Sequence, residues 1–235
     1  HNLSYQAIVL VGLYGTAMTH QVRVKHWQKW IKEDIIVIED AAQHWLAADC
    51  KRIGHGAAVS FDPMKNLNCY GNGGAVVTDD LDLLEFARSY RNNGKPRCDW
   101  AGTNSRMSEV DCAQMMVKAQ HIDEWQERRK KIAGYWMARL KGSGIRTLID
   151  SNNFQTHAFH KFVIDVDQRD ILQRNLALKK IETKIHYEQP LHELPAYEKY
   201  SGPDILSVAS ATSRRVLSLP FYPELTDLEV EYVID

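Results

Sequence analysis

The chain has 235 residues, 29 basic and 30 acidic, for a formal net charge of −1. That balance supplies no basic field for nucleic acid or for an anionic membrane surface. Hydrophobic content of 44% and charged content of 25% are those of a soluble globular protein, and the longest apolar run, Ala7 to Tyr14, is far too short to cross a bilayer.

In chain order, AIVLVGLYG predicts a buried strand ended by glycine, and HQVRVKHWQKWIKED a helix with apolar Val22, Trp27, Trp30 and Ile31. IIVIEDAAQ, AAVSFDP and GGAVVTDD predict three more strands, and LDLLEFARSYRNNG a helix stopped by glycine. Apolar strands alternating with helices indicate an α/β fold with a mostly parallel sheet covered on both faces. After Gly94 the pattern changes. Residues 107–144 read as one long, charged, amphipathic helix, straight or bent, whose ERRKK run (Glu127 to Lys131) is expected to face solvent. HAFHKFVIDV and ETKIHYE read as strands, QRDILQRNLALKKI as a helix, QPLHELPAYEKYSGP as an ordered loop, and VLSLP as a last strand. The expected division is therefore 1–106, a partial large domain, and 107–235, a connecting helix with a smaller α+β domain. Both ends look cut, as in a piece of a longer polypeptide. Four scattered cysteines (Cys50, Cys69, Cys98, Cys112) form no CxxC pair and suggest a reducing cytoplasm.

The segment VSFDPMKNLNCYGNGGAV carries the chemistry. A phosphate-clamping Walker loop has its glycines before the lysine, whereas Gly71, Gly73 and Gly74 follow Lys65. Lys65 falls just past a strand end, on the edge of an α/β sheet where ligands bind, and Asp40 falls at the end of the preceding strand. An amine, a carboxylate and the hydroxyl of Ser60 suit pyridoxal phosphate, which needs a lysine, an acid for its ring nitrogen and donors for its phosphate. Taken singly, Lys65 could be a surface charge, Asp40 a helix cap, Asn104 a turn residue and Arg106 a solvated charge. His157, His160, His186 and His192 lack a carboxylate or cysteine at supporting spacing, so no metal site is expected.

VIEDAAQ and SFDPMKNLNCYGNGGAVVTDD strongly resemble the sugar aminotransferases of the DegT/DnrJ/EryC1/StrS family. The resemblance continues through NSRMSEVDCAQ, THAFHKFVIDV, HYEQPLHELPAY and VLSLPFYPELTDLEV, nearly the whole chain. It implies a fold-type-I pyridoxal-phosphate enzyme that transfers an amino group, usually from glutamate, to a nucleotide-linked keto-sugar. Lys65 would then form the Schiff base and move protons, Asp40 would pair with the pyridinium nitrogen, Gln43 would lie beside the ring, and Ser60 would bind the phosphate. Asn104 would reach the phosphate of a neighbouring subunit's cofactor, which implies a homodimer with shared sites. Arg106, His186, Tyr187 and His192 would line the nucleotide-sugar pocket. Relatives that dehydrate sugars carry histidine at the lysine position, so Lys65 points to transamination. The family's polypeptide normally starts further upstream, with a small-residue phosphate turn and an aromatic that stacks on the cofactor. A non-catalytic binding or assembly homologue, or an inactive fragment, that retains the fold without turnover is the alternative. Two departures stand out: Gly12, where the family often has histidine, and His44-Trp45-Leu46, where it usually has small residues, a histidine and a glycine.

Overall fold

β-branched runs build the first sheet. The computed structural model describes residues 6–17, 25–26, 28–30, 32–47, 54–200 and 206–235. Within it, Ala7–Val11 (β1), Ile36–Asp40 (β2), Gly56–Ser60 (β3) and Gly74–Val77 (β4) form one sheet in that order. β1, β2 and β3 are parallel, with Val11 opposite Asp40 and Asp40 opposite Ala58. β4 runs antiparallel to β3, with Ser60 opposite Gly74. The loop carrying Lys65 returns the chain directly beside the strand it left, whereas a parallel neighbour needs a crossover to the opposite edge. The sheet is therefore mixed. Of the helix expected before β2, residues 25–26, 28–30 and 32 are helical, while Val22, Trp27 and Ile31 lie outside the described residues.

The chain divides into two compact units, His1–Trp125 with Asn152–His160, and Gln126–Ser151 with Lys161–Asp235. In the first, Leu81–Tyr90 (α1) starts at Asp80, whose Oδ1 accepts the N–H groups of Asp82 and Leu83. Glu109–Ala119 (α2) starts at Ser108, whose hydroxyl accepts from Asp111 N–H. Side chains of α2 hold the turn after Lys65. Asp111 Oδ1 accepts from Tyr70 and Gly71 N–H, each at 3.1 Å, and Lys118 Nζ donates to the Asn68 carbonyl at 3.3 Å. The Ser108 hydroxyl, and after it the Gly71 N–H, keep the Asp111 carboxyl below its usual range.

The one long helix expected from the sequence is two. Gln120 and His121 N–H bond to the carbonyls of Val117 and Lys118, three residues back, which closes α2 in a tight turn. Ile122–Leu140 (α3) then begins a new helix. In the second unit Arg146–Thr147 (β5), Val163–Asp165 (β6) and Val216–Ser218 (β7) form an antiparallel sheet. It is accompanied by Arg169–Leu178 (α4), Ser207–Ser213 (α5) and Asp227–Ile234 (α6), the last opened by a Thr226/Glu229 capping box. Trp136 centres the core. Its ring meets Phe162 edge-on at 5.0 Å, and its Nε1–H donates to the Val230 carbonyl at 2.8 Å.

Two expectations change here. Arg129, in the run expected to face solvent, is buried: it donates to the Phe221 carbonyl at 3.1 Å and lies over that residue's ring. Burial lowers its pKa to about 10. The strand expected at ETKIHYE is a single bridge between Lys184 and Ser218. No helix among the described residues is long and apolar enough to cross a membrane.

Candidate functional site

Three loops leave the carboxyl ends of β1, β2 and β3 on one edge of the first unit's sheet. After β1, Gly12 N–H donates to the Asp40 carbonyl at 3.4 Å, and the chain turns through Leu13–Gly15. Tyr14 is buried with φ of 60°, and its N–H donates to Gln43 Oε1 at 2.6 Å. Gly15 has φ of +109°, and a Cβ there would meet the backbone nitrogens of Phe159 and His160 at 3.0 Å. Only glycine serves there.

After β2, Asp40 Oδ1 accepts from Ala42 N–H at 3.1 Å, which starts the turn that presents Gln43. Glu39, on the other face of the strand, is 2% exposed. It accepts from Gly54 N–H at 3.3 Å and faces His44 Nε2 at 3.7 Å. After β3, Ser60 Oγ accepts from Asp62 N–H at 3.3 Å, and Lys65 N–H donates to the Asp62 carbonyl at 2.9 Å. Cys69 N–H returns to the Phe61 carbonyl at 2.8 Å, closing the lysine turn. Lys65, Ser60, Asp40 and Gln43 are each half-buried.

Asp40, Gln43, Ser60 and Lys65 thus share one sheet edge, since Ala41 N–H already bonds to the Ala58 carbonyl at 2.9 Å. Asn104 and Arg106 lie on an exposed loop, where Asn104 bridges to Asn92. In the second unit, His186 Nδ1 pairs with Ser218 Oγ at 2.8 Å and Tyr187 is exposed. His192 Nε2 lies 3.1 Å from Ser210 Oγ. Burial, with Lys161 and Lys184 nearby, lowers His186 to about 4, so its imidazole is neutral at pH 7.

The sequence singled out HAFH as histidines and missed what they hold. Phe159 N–H can only donate, and it bonds to His157 Nδ1 at 2.9 Å, so the proton sits on Nε2, which donates to Thr16 Oγ1 at 3.1 Å. Ala158 N–H and His160 N–H bond to the carbonyls of Gly15 and Tyr14 at 2.8 and 3.1 Å. Asn66, beside Lys65, bonds to the same segment. The adjacency of Asn66 to the lysine is the one local signal that could have flagged it.

Burial lowers His157 to about 4 from 6.5. Its folded pKa lies below its unfolded one, so the unfolded chain binds the extra proton and stability is lost as pH falls from about 6.5 to about 4. The shift corresponds to roughly 3 kcal/mol. Denaturant unfolding of the protein and of His157→Gln across that window checks this; the variant should show a shallower acid loss, and parallel curves would refute it.

An amine, a carboxylate and a hydroxyl on one strand edge are the donor set that pyridoxal phosphate requires, and the residues present fit that group. A profile of the DegT/DnrJ/EryC1/StrS aminotransferase family matches residues 2–235. The chain is 38% identical over 208 residues to the dTDP-3-amino-3,4,6-trideoxy-alpha-D-glucose transaminase of Streptomyces venezuelae, covering 85% of this chain and 55% of that protein. It is 36% identical over 214 residues to the erythromycin biosynthesis sensory transduction protein EryC1 of Saccharopolyspora erythraea, covering 86% of this chain and 58% of that protein. The crystal structure of S. venezuelae DesV in complex with a ketimine intermediate superposes with a TM-score of 0.87 at 34% identity, covering 98% of this chain and 63% of that one. The chain thus spans 55 to 63% of the length of these three proteins. A profile match over nearly every residue and a fold shared with DesV lead to one conclusion: the chain belongs to the DegT/DnrJ/EryC1/StrS aminotransferase family.

Proposed function

We propose that this chain is the lysine-bearing part of a pyridoxal-phosphate-dependent aminotransferase acting on a nucleotide-linked keto-deoxysugar, with glutamate as the amino donor. The observation that carries the reading is Asp40 at the end of β2 and Lys65 in the turn that follows the neighbouring parallel strand β3. The transaminase named for a dTDP-amino sugar supports the substrate class.

When bound, pyridoxal phosphate supplies a protonated ring that draws electrons from the substrate carbon. The residues of this chain serve that chemistry. Lys65 Nζ would hold the cofactor covalently and carry the proton that moves during transfer. The Asp40 carboxylate, oriented by Ala42 N–H, would pair with the ring nitrogen. Gln43, its amide oxygen held by Tyr14 N–H, offers Nε2 as a donor beside the ring. The Ser60 hydroxyl takes a phosphate oxygen. Asn104 serves the cofactor phosphate of a second copy in a homodimer. Arg106, His186, Tyr187 and His192 contact the nucleotide-sugar, His186 as a neutral imidazole. Among the described residues Cys69, Cys98 and Cys112 are free thiols, which supports a cytoplasmic setting.

The test is incubation of the protein with pyridoxal phosphate, reduction with borohydride and peptide mapping. A visible absorbance band and a label fixed on Lys65 are expected. A label confined to other lysines would overturn the reading.

A further inference from the structure

The turn that carries Lys65 is tied to a distant part of the chain through the next residue. Asn66 Nδ2 donates to the Ala158 carbonyl at 2.8 Å, and Asn66 Oδ1 lies 3.2 Å from His160 Nδ1. A carbonyl oxygen only accepts, so the amide NH2 must face Ala158 and the amide oxygen must face His160. The His160 proton is therefore on Nδ1, which donates to Asn66. His160 is 5% exposed, so water does not compete for that bond.

The same segment holds the loop after β1. His160 N–H donates to the Tyr14 carbonyl, Ala158 N–H donates to the Gly15 carbonyl, and Tyr14 N–H donates to Gln43 Oε1. A hydrogen-bonded path therefore runs from Gln43 through Tyr14 and His160 to Asn66. The ladder between β2 and β3 ends at Asp40 opposite Ala58, well before the lysine, so it does not set where the turn sits. The turn's own bonds, such as Asn68 Nδ2 to the Pro63 carbonyl at 2.8 Å, close it without orienting it against Gln43.

We propose that Asn66 and His160 are positioning residues: together they clamp the Lys65 turn to the segment His157–His160 and so fix the amine relative to Gln43 and Asp40. The inference rests on the aminotransferase reading for its consequence, but the clamp itself is testable without cofactor. Neither residue touches the reacting atoms. Both act through the placement of Lys65, where displacements of an ångström are costly.

The experiment compares the protein with Asn66→Ala, His160→Leu, His160→Asn and the Asn66→Ala/His160→Leu pair. Two quantities are read: the rate and pH midpoint of borohydride-stable pyridoxal phosphate incorporation at Lys65, and amide exchange of residues 64–68 without cofactor. Asn66→Ala and His160→Leu should each slow incorporation about tenfold or more and shift its pH midpoint, and should speed exchange by a similar factor. The double variant should be no worse than either single one, because one unit is being broken. His160→Asn places an amide donor where Nδ1 stood and should restore both readings, which a merely bulk-stabilising histidine would not require. Unchanged exchange at 64–68 in Asn66→Ala, or His160→Asn as impaired as His160→Leu, overturns the clamp. If the unmodified protein takes no label at Lys65, the aminotransferase reading falls, and the exchange comparison still decides the clamp.

Discussion

Gly12→Ala should destabilise the first unit by about 3 kcal/mol or more, although its backbone conformation suits alanine. With φ of −88°, Gly12 lies in an ordinary region, so the cost comes from space alone. A Cβ there would sit 1.9 Å from His44 Nδ1, 2.2 Å from its Cγ and 2.6 Å from its Cβ. No small shift of the ring relieves all three, so the imidazole would have to leave. His44 is 4% exposed and Glu39 2% exposed, so its departure removes a neighbour from a buried carboxylate. Denaturant unfolding of Gly12→Ala, His44→Ala and the double variant checks this. His44→Ala empties the space, and the double variant should be more stable than the sum of the singles by roughly 1–3 kcal/mol. Strict additivity would sink the argument. A side chain at position 12 and a ring at position 44 compete for one volume. Gly12→His combined with His44→Ala should therefore be tolerated far better than Gly12→His alone.

Lys65→Arg keeps a long basic side chain but cannot attach the cofactor or return a proton from that side chain near neutral pH. On the proposed function, amino transfer should fall by roughly two to four orders of magnitude or more, and the visible absorbance formed with pyridoxal phosphate should vanish. Circular dichroism and the unfolding midpoint should stay close to those of the parent, since the turn is held through the neighbouring Asn66 and through backbone bonds. A binding or assembly homologue behaves differently. It would retain nucleotide-sugar affinity and show no turnover to lose, so equal activity readings before and after the substitution would favour that alternative.

The strands were legible because β-branched runs ending in turn residues need no tertiary information, and Asp40 and Lys65 could be placed on strand ends for the same reason. What escaped depends on contacts between distant residues. HAFHKFVIDV has the composition of one continuous strand, yet only Val163–Asp165 pairs in a sheet. His157 and His160 spend their groups on Thr16 and Asn66 instead, partners 141 and 94 residues away. Arg129 failed in the same way. A charge inside a charged run reads as solvated until the Phe221 carbonyl is found against it. The antiparallel direction of β4 was equally hidden, because strand direction depends on where the loop delivers the chain and not on the residues of the strand.

The clamp on the lysine turn also bears on the order in which the polypeptide is made. Residues Phe61 to Cys69 can close their turn locally as soon as they emerge, but Ala158 and His160 emerge only after α3 and β5 have been synthesised. On the ribosome the first unit must wait for a segment that follows the opening stretch of the second, Gln126–Ser151. The nucleophile turn would be among the last parts of that unit to be fixed. A fragment ended at Trp125 would carry Lys65 with half of its fastening missing.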